Sequence, residues 1–283
     1  MPLAAQFTSQ CPLLLESDYL SLSSAFRLRP PLLYDTTVGA AHHISAPGEV
    51  LIQVLQTGTT YGDLLVTAEQ NKLLTSIVVD MLGFLNLAGA LSRRRGFGGW
   101  YIALRLTVVG WLSGVRFAPL TWRRAGTHST LLIGLLRASW PVQVMSVGVC
   151  TLAVASNLLP VHTGLILLVA SLGFFLASVY IHELGHMLIL RRQNVRSDVL
   201  CRGLRLGLLH HRLGTSQEIQ SAVMGPVAGT LLCLAGISCG QVLHQTLITA
   251  SSCAVMLIHV GSLLPWYGDG ASIRYALRKK GEA

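Results

Sequence analysis

The chain has 283 residues, of which 52% are hydrophobic and only 12% charged, with a formal net charge of +9. That is too little charge for a soluble enzyme, in which about a quarter of residues are ordinarily charged. The basic excess falls in short blocks between apolar runs, which sets nucleic acid aside as a partner and points to a lipid bilayer.

Met1 to Leu20 lacks the basic start and unbroken apolar core of a signal peptide and carries Glu16 and Asp18, so this segment is expected to stay in the cytosol. Residues 24–95 read as a small folded unit. Extended stretches are predicted at 27–33 and 40–44, punctuated by Pro30, Pro31 and Gly39. A helix should open at Pro47 and run to Gly58, and a second should start in Thr59-Thr60-Tyr61-Gly62-Asp63. A third should bury Val78, Val79, Leu82 and Leu85, with Leu87 a further candidate, while Asp80, Asn86 and Arg93-Arg94-Arg95 supply polar ends.

Arg27-Leu28-Arg29-Pro30, the helix before Gly58-Thr59-Thr60, and Val79-Asp80-Met81-Leu82-Gly83-Phe84-Leu85 followed by Ala88-Gly89-Ala90-Leu91 make this unit resemble the PqqD-like winged-helix domains. Those domains recognise leader peptides of ribosomally made, modified peptides. The resemblance implies an α+β peptide-recognition domain over residues 1–95 that takes an extended peptide as an added strand. Affinity would then come from backbone pairing and specificity from alternate side-chain pockets.

From Arg93 to Trp140 there are eight arginines and no acid, interleaved with Trp100, Trp111 and Trp122, so residues 96–140 read as a basic interfacial linker. A span over 99–115 would carry Arg105 near its centre at a cost of about 2.5–3.5 kcal/mol. An amphipathic helix lying on anionic lipid is expected instead, with a hairpin of two spans as the alternative.

Four apolar runs are long enough to cross a bilayer, at about 142–159, 163–190, 222–243 and 246–264. The connections Pro160-Val161-His162-Thr163 and His244-Gln245 lack Lys and Arg, whereas the stretch with Arg191, Arg192, Arg196, Arg202, Arg205 and Arg212 and the tail with Arg274, Arg278, Lys279 and Lys280 are basic. By the positive-inside rule both termini face the cytosol, in a multi-pass protein of the cell inner membrane. The expected fold is mainly α, a polytopic membrane helical bundle of about four spans over 141–283 behind the small N-terminal domain. Six cysteines show no C-x-x-C spacing, and Cys150, Cys233, Cys239 and Cys253 lie inside apolar runs, so they read as reduced packing residues.

The chemistry concentrates in His182-Glu183-Leu184-Gly185-His186. Histidines four apart project from one helix face and can bind one metal, Zn2+ for this donor type, while Glu183 between them stands as the general base for water attacking a peptide carbonyl. Three titratable groups at the end of an apolar helix are expensive without a function. A third ligand is needed, from Asp269, His259, His162, His210 or His211. Asp269, just past the last span, reaches the depth of His182; His162 lies on the opposite side, and His210 and His211 sit in a basic loop. His259 stands about ten residues earlier, roughly 15 Å of helical rise from Asp269, and reads as a packed or pore-lining histidine.

Three motifs make the second half resemble the site-2 protease family of intramembrane zinc metalloproteases: His182-Glu183-Leu184-Gly185-His186, Gly225-Pro226-Val227-Ala228-Gly229, and Leu263-Leu264-Pro265-Trp266-Tyr267-Gly268-Asp269-Gly270. The resemblance implies that Asp269 is the third zinc ligand and that the helices hold the metal away from lipid. Ser262 stands where the family usually has Asn, and Pro265 is one residue closer to Asp269 than is common. Gly225, Pro226 and Gly229 read as residues that let helices approach closely. Together the halves lead to an expectation of a zinc metalloprotease processing a ribosomally made peptide. The alternatives are regulated cleavage of a membrane-spanning signalling protein and, outside enzymes, a metal-containing membrane receptor or transport partner.

Overall fold

A computed structural model of the protein describes residues 11–113, 117–158, 160–211, 213–266 and 268–281. The first ten residues, Val115, Arg212 and Tyr267, which carry parts of the reading above, lie outside the described residues. The chain is mainly helical and divides into two compact units, Met1–Arg123 and Arg124–Ala283.

In the first unit, β1 (Tyr19–Leu22), β2 (Phe26–Arg29), β3 (Leu32–Asp35) and β4 (Ala40–His43) precede α1 (Ala46–Thr57). Then come β5 (Thr59–Thr60), α2 (Tyr61–Gln70), α3 (Thr75–Ala88), β6 (Leu91–Arg94) and α4 (Phe97–Leu112). Antiparallel pairing gives two three-stranded sheets, β5-β1-β6 and β2-β3-β4, the second made of the stretches expected to be extended. Helix α1 carries Pro47 in its first turn, where no partner is needed for the missing N–H, and ends at Gly58. Thr60 caps α2 by accepting from the Asp63 amide, and α3 closes on Gly89 in the left-handed region at φ +71.

Leu20, Leu33, Leu51, Ile52, Leu55, Leu64, Val78, Val79, Leu82 and Leu85 share one core. Leu87 is 37% exposed, because nine residues beyond Val78 places it on the opposite side of α3. Asn86 is fully buried rather than a polar end. Its side-chain amide donates to Pro119 O at 3.2 Å and its Oδ1 accepts from Thr121 N at 2.9 Å, tying residues 119–121 to the first unit.

Two buried ion pairs complete that tie. Arg95 pairs with Asp18 at 2.5 Å, and Arg123 reaches Asp35 Oδ2 at 2.6 Å and Oδ1 at 2.8 Å. Residues up to Arg123 group with the first unit, where Asp35 holds Arg123. Burial alone would raise the Asp35 carboxyl, but Arg123 and the amides of Val38 and Thr37 hold it below its usual value. Its stabilisation is therefore present above the unfolded value near 4 and lost as pH falls through the lower folded value. Replacing Arg123 by Ala strands that carboxylate, and denaturant unfolding should register a loss of about 3–5 kcal/mol. A change under about 1 kcal/mol would mean that the pair behaves as a solvated one.

Helix α4 falls in the stretch read as interfacial. At 16 residues it spans about 24 Å, and Phe97, Tyr101, Leu104, Val108 and Leu112 project from one exposed face with Arg105 among them, while Ala103 and Gly110 are buried on the other. The strand β7 (Thr121–Ala125) follows it in the chain.

The second unit runs α5 (His128–Ala155), α6 (Val161–Arg192), β8 (Ser197–Arg202), β9 (Arg205–His210), α7 (Thr215–Val242), α8 (Thr246–Ser262) and α9 (Gly268–Gly281). Among the described residues, α5, α6 and α7 are the helices long and apolar enough to cross a membrane. Helix α8 is apolar but has 17 residues, about 26 Å, less than the roughly 30 Å of a hydrocarbon core. Helix α5 begins well before residue 142 because Thr127 and Thr130 form a capping box and Leu131, Leu135 and Ala138 are buried. Helix α7 is the most enclosed of the three long helices and packs against α6, α8 and α9. Strands β8 and β9 form a hairpin whose two-residue loop opens with Gly203 at φ +60, the positive angle such loops demand.

Candidate metal centre

His182 and His186 lie one turn apart on α6, and both are 9% exposed. Their side of α6 meets α7 at unusually short range. A Cβ at Gly185 would come within 2.7 Å of the Met224 carbonyl, and one at Gly225 would collide with the His186 ring. Gly225 and Gly229 therefore pack closely, giving the His186 and His259 imidazoles, respectively, space against the α7 backbone.

His186 Nδ1 lies 2.7 Å from the Ser221 carbonyl oxygen. A carbonyl can only accept, so Nδ1 carries the proton and the Nε2 lone pair faces inward. His182 Nδ1 contacts His259 Nδ1 at 3.0 Å, and the Nε2 atoms of His182 and His186 lie 3.2 Å apart. Into this gap Asp269 offers both oxygens, Oδ2 at 3.2 Å from His182 Nε2 and Oδ1 at 3.3 Å from His186 Nε2. One donor atom from each of His182, His186 and Asp269 lies within 4.8 Å of the others.

Asp269 reaches this point because α8 stops at Ser262 and the chain turns before α9 opens at Gly268 with φ +38. The 15 Å of rise expected between His259 and Asp269 assumes one continuous helix, and the turn removes it. Ser262 Oγ stands 2.8 Å from His259 O and 3.1 Å from Asp269 Oδ2, so its single proton can serve either and hold the turn closed over the carboxylate.

The three groups and Glu183 line a cavity of about 410 Å³ whose wall also includes Glu218, Ser221, His259 and residues Leu206, Gly207 and Leu208 of β9. Of the other candidate ligands, His162 is in the first turn of α6, about 30 Å of rise from His182. His210 lines the cavity but directs Nδ1 to the His211 carbonyl, and His211 is exposed. All six cysteines are free, and Cys239, read as a packing residue, is exposed.

Three parts of this site are not evident from motif spacing. The stretch read as a basic loop holds the β8–β9 hairpin, whose signal is Gly203 between two short apolar alternations. Ser221 acts through its backbone, which leaves no mark in the sequence. The contact of His259 with His182 is a tertiary pairing across 77 residues.

Two imidazole nitrogens and a carboxylate oxygen converging beside a cavity suit zinc, which takes three such protein ligands in catalytic sites and keeps a position open. No protein-family model, curated protein or solved structure matches the chain.

Proposed function

We propose that the protein is a zinc metalloprotease of the site-2 protease type, which hydrolyses a peptide bond at the cytosolic face of the membrane. The observation that carries this reading is the convergence of His182, His186 and Asp269, from α6 and the start of α9, beside a cavity that Glu183 also lines. His182, His186 and Asp269 hold the metal. Zinc in such a site supplies Lewis acidity, making water nucleophilic near neutral pH and polarising the scissile carbonyl. Glu183 takes the proton from the attacking water and returns it to the leaving amine. Strand β9 borders the cavity and stands at the edge of its sheet, so an extended substrate pairing along it lies beside Glu183.

In this reading α5, α6 and α7 span the bilayer, α8 is the fourth, slightly short span, and both termini face the cytosol. A short span is accommodated by local thinning of the bilayer or snorkelling of flanking residues. The exposed apolar face of α4 dips into the interface, with Arg105 snorkelling to the headgroups. The first unit is a winged-helix-like domain that captures a leader peptide; its four helices and small three-stranded sheets suit that role. Regulated cleavage of a membrane-spanning signalling protein uses the same site and differs only in substrate, whereas a receptor that merely retains metal leaves Glu183 without a task.

The test uses purified full-length protein in lipid discs, offered peptides and a membrane-spanning segment side by side. Hydrolysis should stop with a zinc chelator and return with zinc. A zinc-loaded protein that cuts neither substrate class would sink the proteolytic reading. Preference between the two classes decides between peptide maturation and signalling.

A further inference from the structure

His259 is only 3% exposed, lies in α8, and has no part in the proposed hydrolysis. Its ring meets that of His182 with centroids 5.0 Å apart and planes inclined by 24°, and the closest atoms are the two Nδ1 nitrogens at 3.0 Å. Rings so nearly parallel, joined through ring nitrogens at that distance, share one hydrogen bond directed close to both planes. One Nδ1 therefore carries the proton and the other accepts it.

Which one donates decides whether His182 can bind a metal. Neutral imidazole has a single N–H, so His182 presents a lone pair from Nε2 toward His186 and Asp269 only when its own proton is on Nδ1. The reverse tautomer would put a hydrogen on Nε2, in the gap the three ligands share. We infer, resting on the zinc reading above, that His259 is a positioning residue: its Nδ1 accepts from His182 Nδ1–H and fixes the tautomer and ring plane in which His182 Nε2 faces the metal.

The packing of the ring fits this role. With its acceptor nitrogen toward His182, His259 keeps its proton on Nε2, and that nitrogen is buried with no hydrogen-bond partner among the described residues. The ring is therefore held by its packing and by the contact with His182. The packing is specific, since a Cβ at Gly229 of α7 would stand 2.7 Å from His259 Cε1. Each candidate zinc histidine thus has its own orienting acceptor from another segment, Ser221 O for His186 and His259 Nδ1 for His182. Such outer partners of metal-bound histidines fix tautomer and orientation generally.

The experiment measures zinc affinity of the full-length protein in lipid discs by competition with a chromophoric chelator, after each variant is shown to be folded by its thermal transition. His259→Leu removes the acceptor and should weaken zinc binding roughly 10- to 100-fold. His259→Asn keeps an acceptor oxygen near the place of Nδ1 and should restore most of the affinity. Gly229→Ala displaces the ring without touching its chemistry and should weaken binding in the same direction as His259→Leu. Nitrogen-15 spectra of metal-free, histidine-labelled protein, assigned against His182→Gln, should show His182 protonated at Nδ1 and a mixture of tautomers in His259→Leu. Unchanged zinc affinity in His259→Leu, or an equal loss in the Leu and Asn variants, overturns the inference. If the unsubstituted protein binds no zinc, the proteolytic reading fails by itself, and the tautomer spectra still decide the role of His259.

Discussion

Glu183→Gln is expected to lower peptide hydrolysis by roughly 100- to 10,000-fold, the range that general acid–base groups contribute. The amide has nearly the size of the carboxylate, so the α6–α7 packing is preserved, but it cannot take a proton from water at neutral pH. With the metal on His182, His186 and Asp269, as proposed, zinc content should stay at the level of the unsubstituted protein. This combination separates the readings. A protein that loses both zinc and activity would make Glu183 a ligand, and one that keeps its activity would leave the base unidentified.

Asp269→Asn should have its largest effect on zinc itself. The carboxylate faces both imidazoles, with one oxygen at 3.2 Å from His182 and the other at 3.3 Å from His186. The amide keeps one oxygen, presents an N–H₂ where the second stood, and removes the negative charge that offsets the cation. The loss of affinity should exceed the roughly 10- to 100-fold that outer-shell partners typically cost. Hydrolysis at limiting zinc should fall in parallel and recover in part as zinc is raised. Equal metal content in the Asp269→Asn variant and the unsubstituted protein, measured after dialysis, would move the third ligand elsewhere in the cavity. Ser262→Ala offers a graded comparison, because it removes one contact to the carboxylate while leaving its charge in place.

Much of this site is legible in the sequence because it is helical and local. His182 and His186 are four residues apart, and helical spacing alone sets them on one face. The core of the first unit is legible for the same reason, since Val78, Val79, Leu82 and Leu85 follow the period of α3. Asn86 defeats the reading because a polar side chain at a helix end is ordinarily solvated, and here the return of residues 119–121 gives it partners. The boundary after Arg123 is hidden likewise, since it depends on an ion pair with Asp35 across 88 residues. Composition sees the run of arginines from 93 to 140 as one interfacial stretch. It cannot see that Arg95 and Arg123 are engaged inside the fold by Asp18 and Asp35.

The glycines at 185, 225 and 229 have a consequence for heredity. At each, the volume of one missing methyl group is already taken by a carbonyl or an imidazole. Any base change in a glycine codon that alters the residue adds at least a Cβ, so none of these codons has a conservative neighbour. A deep mutational scan read out by metal retention should show three empty columns on two facing helices. Drift should be able to rewrite the exposed apolar positions of the same helices while those three stay fixed.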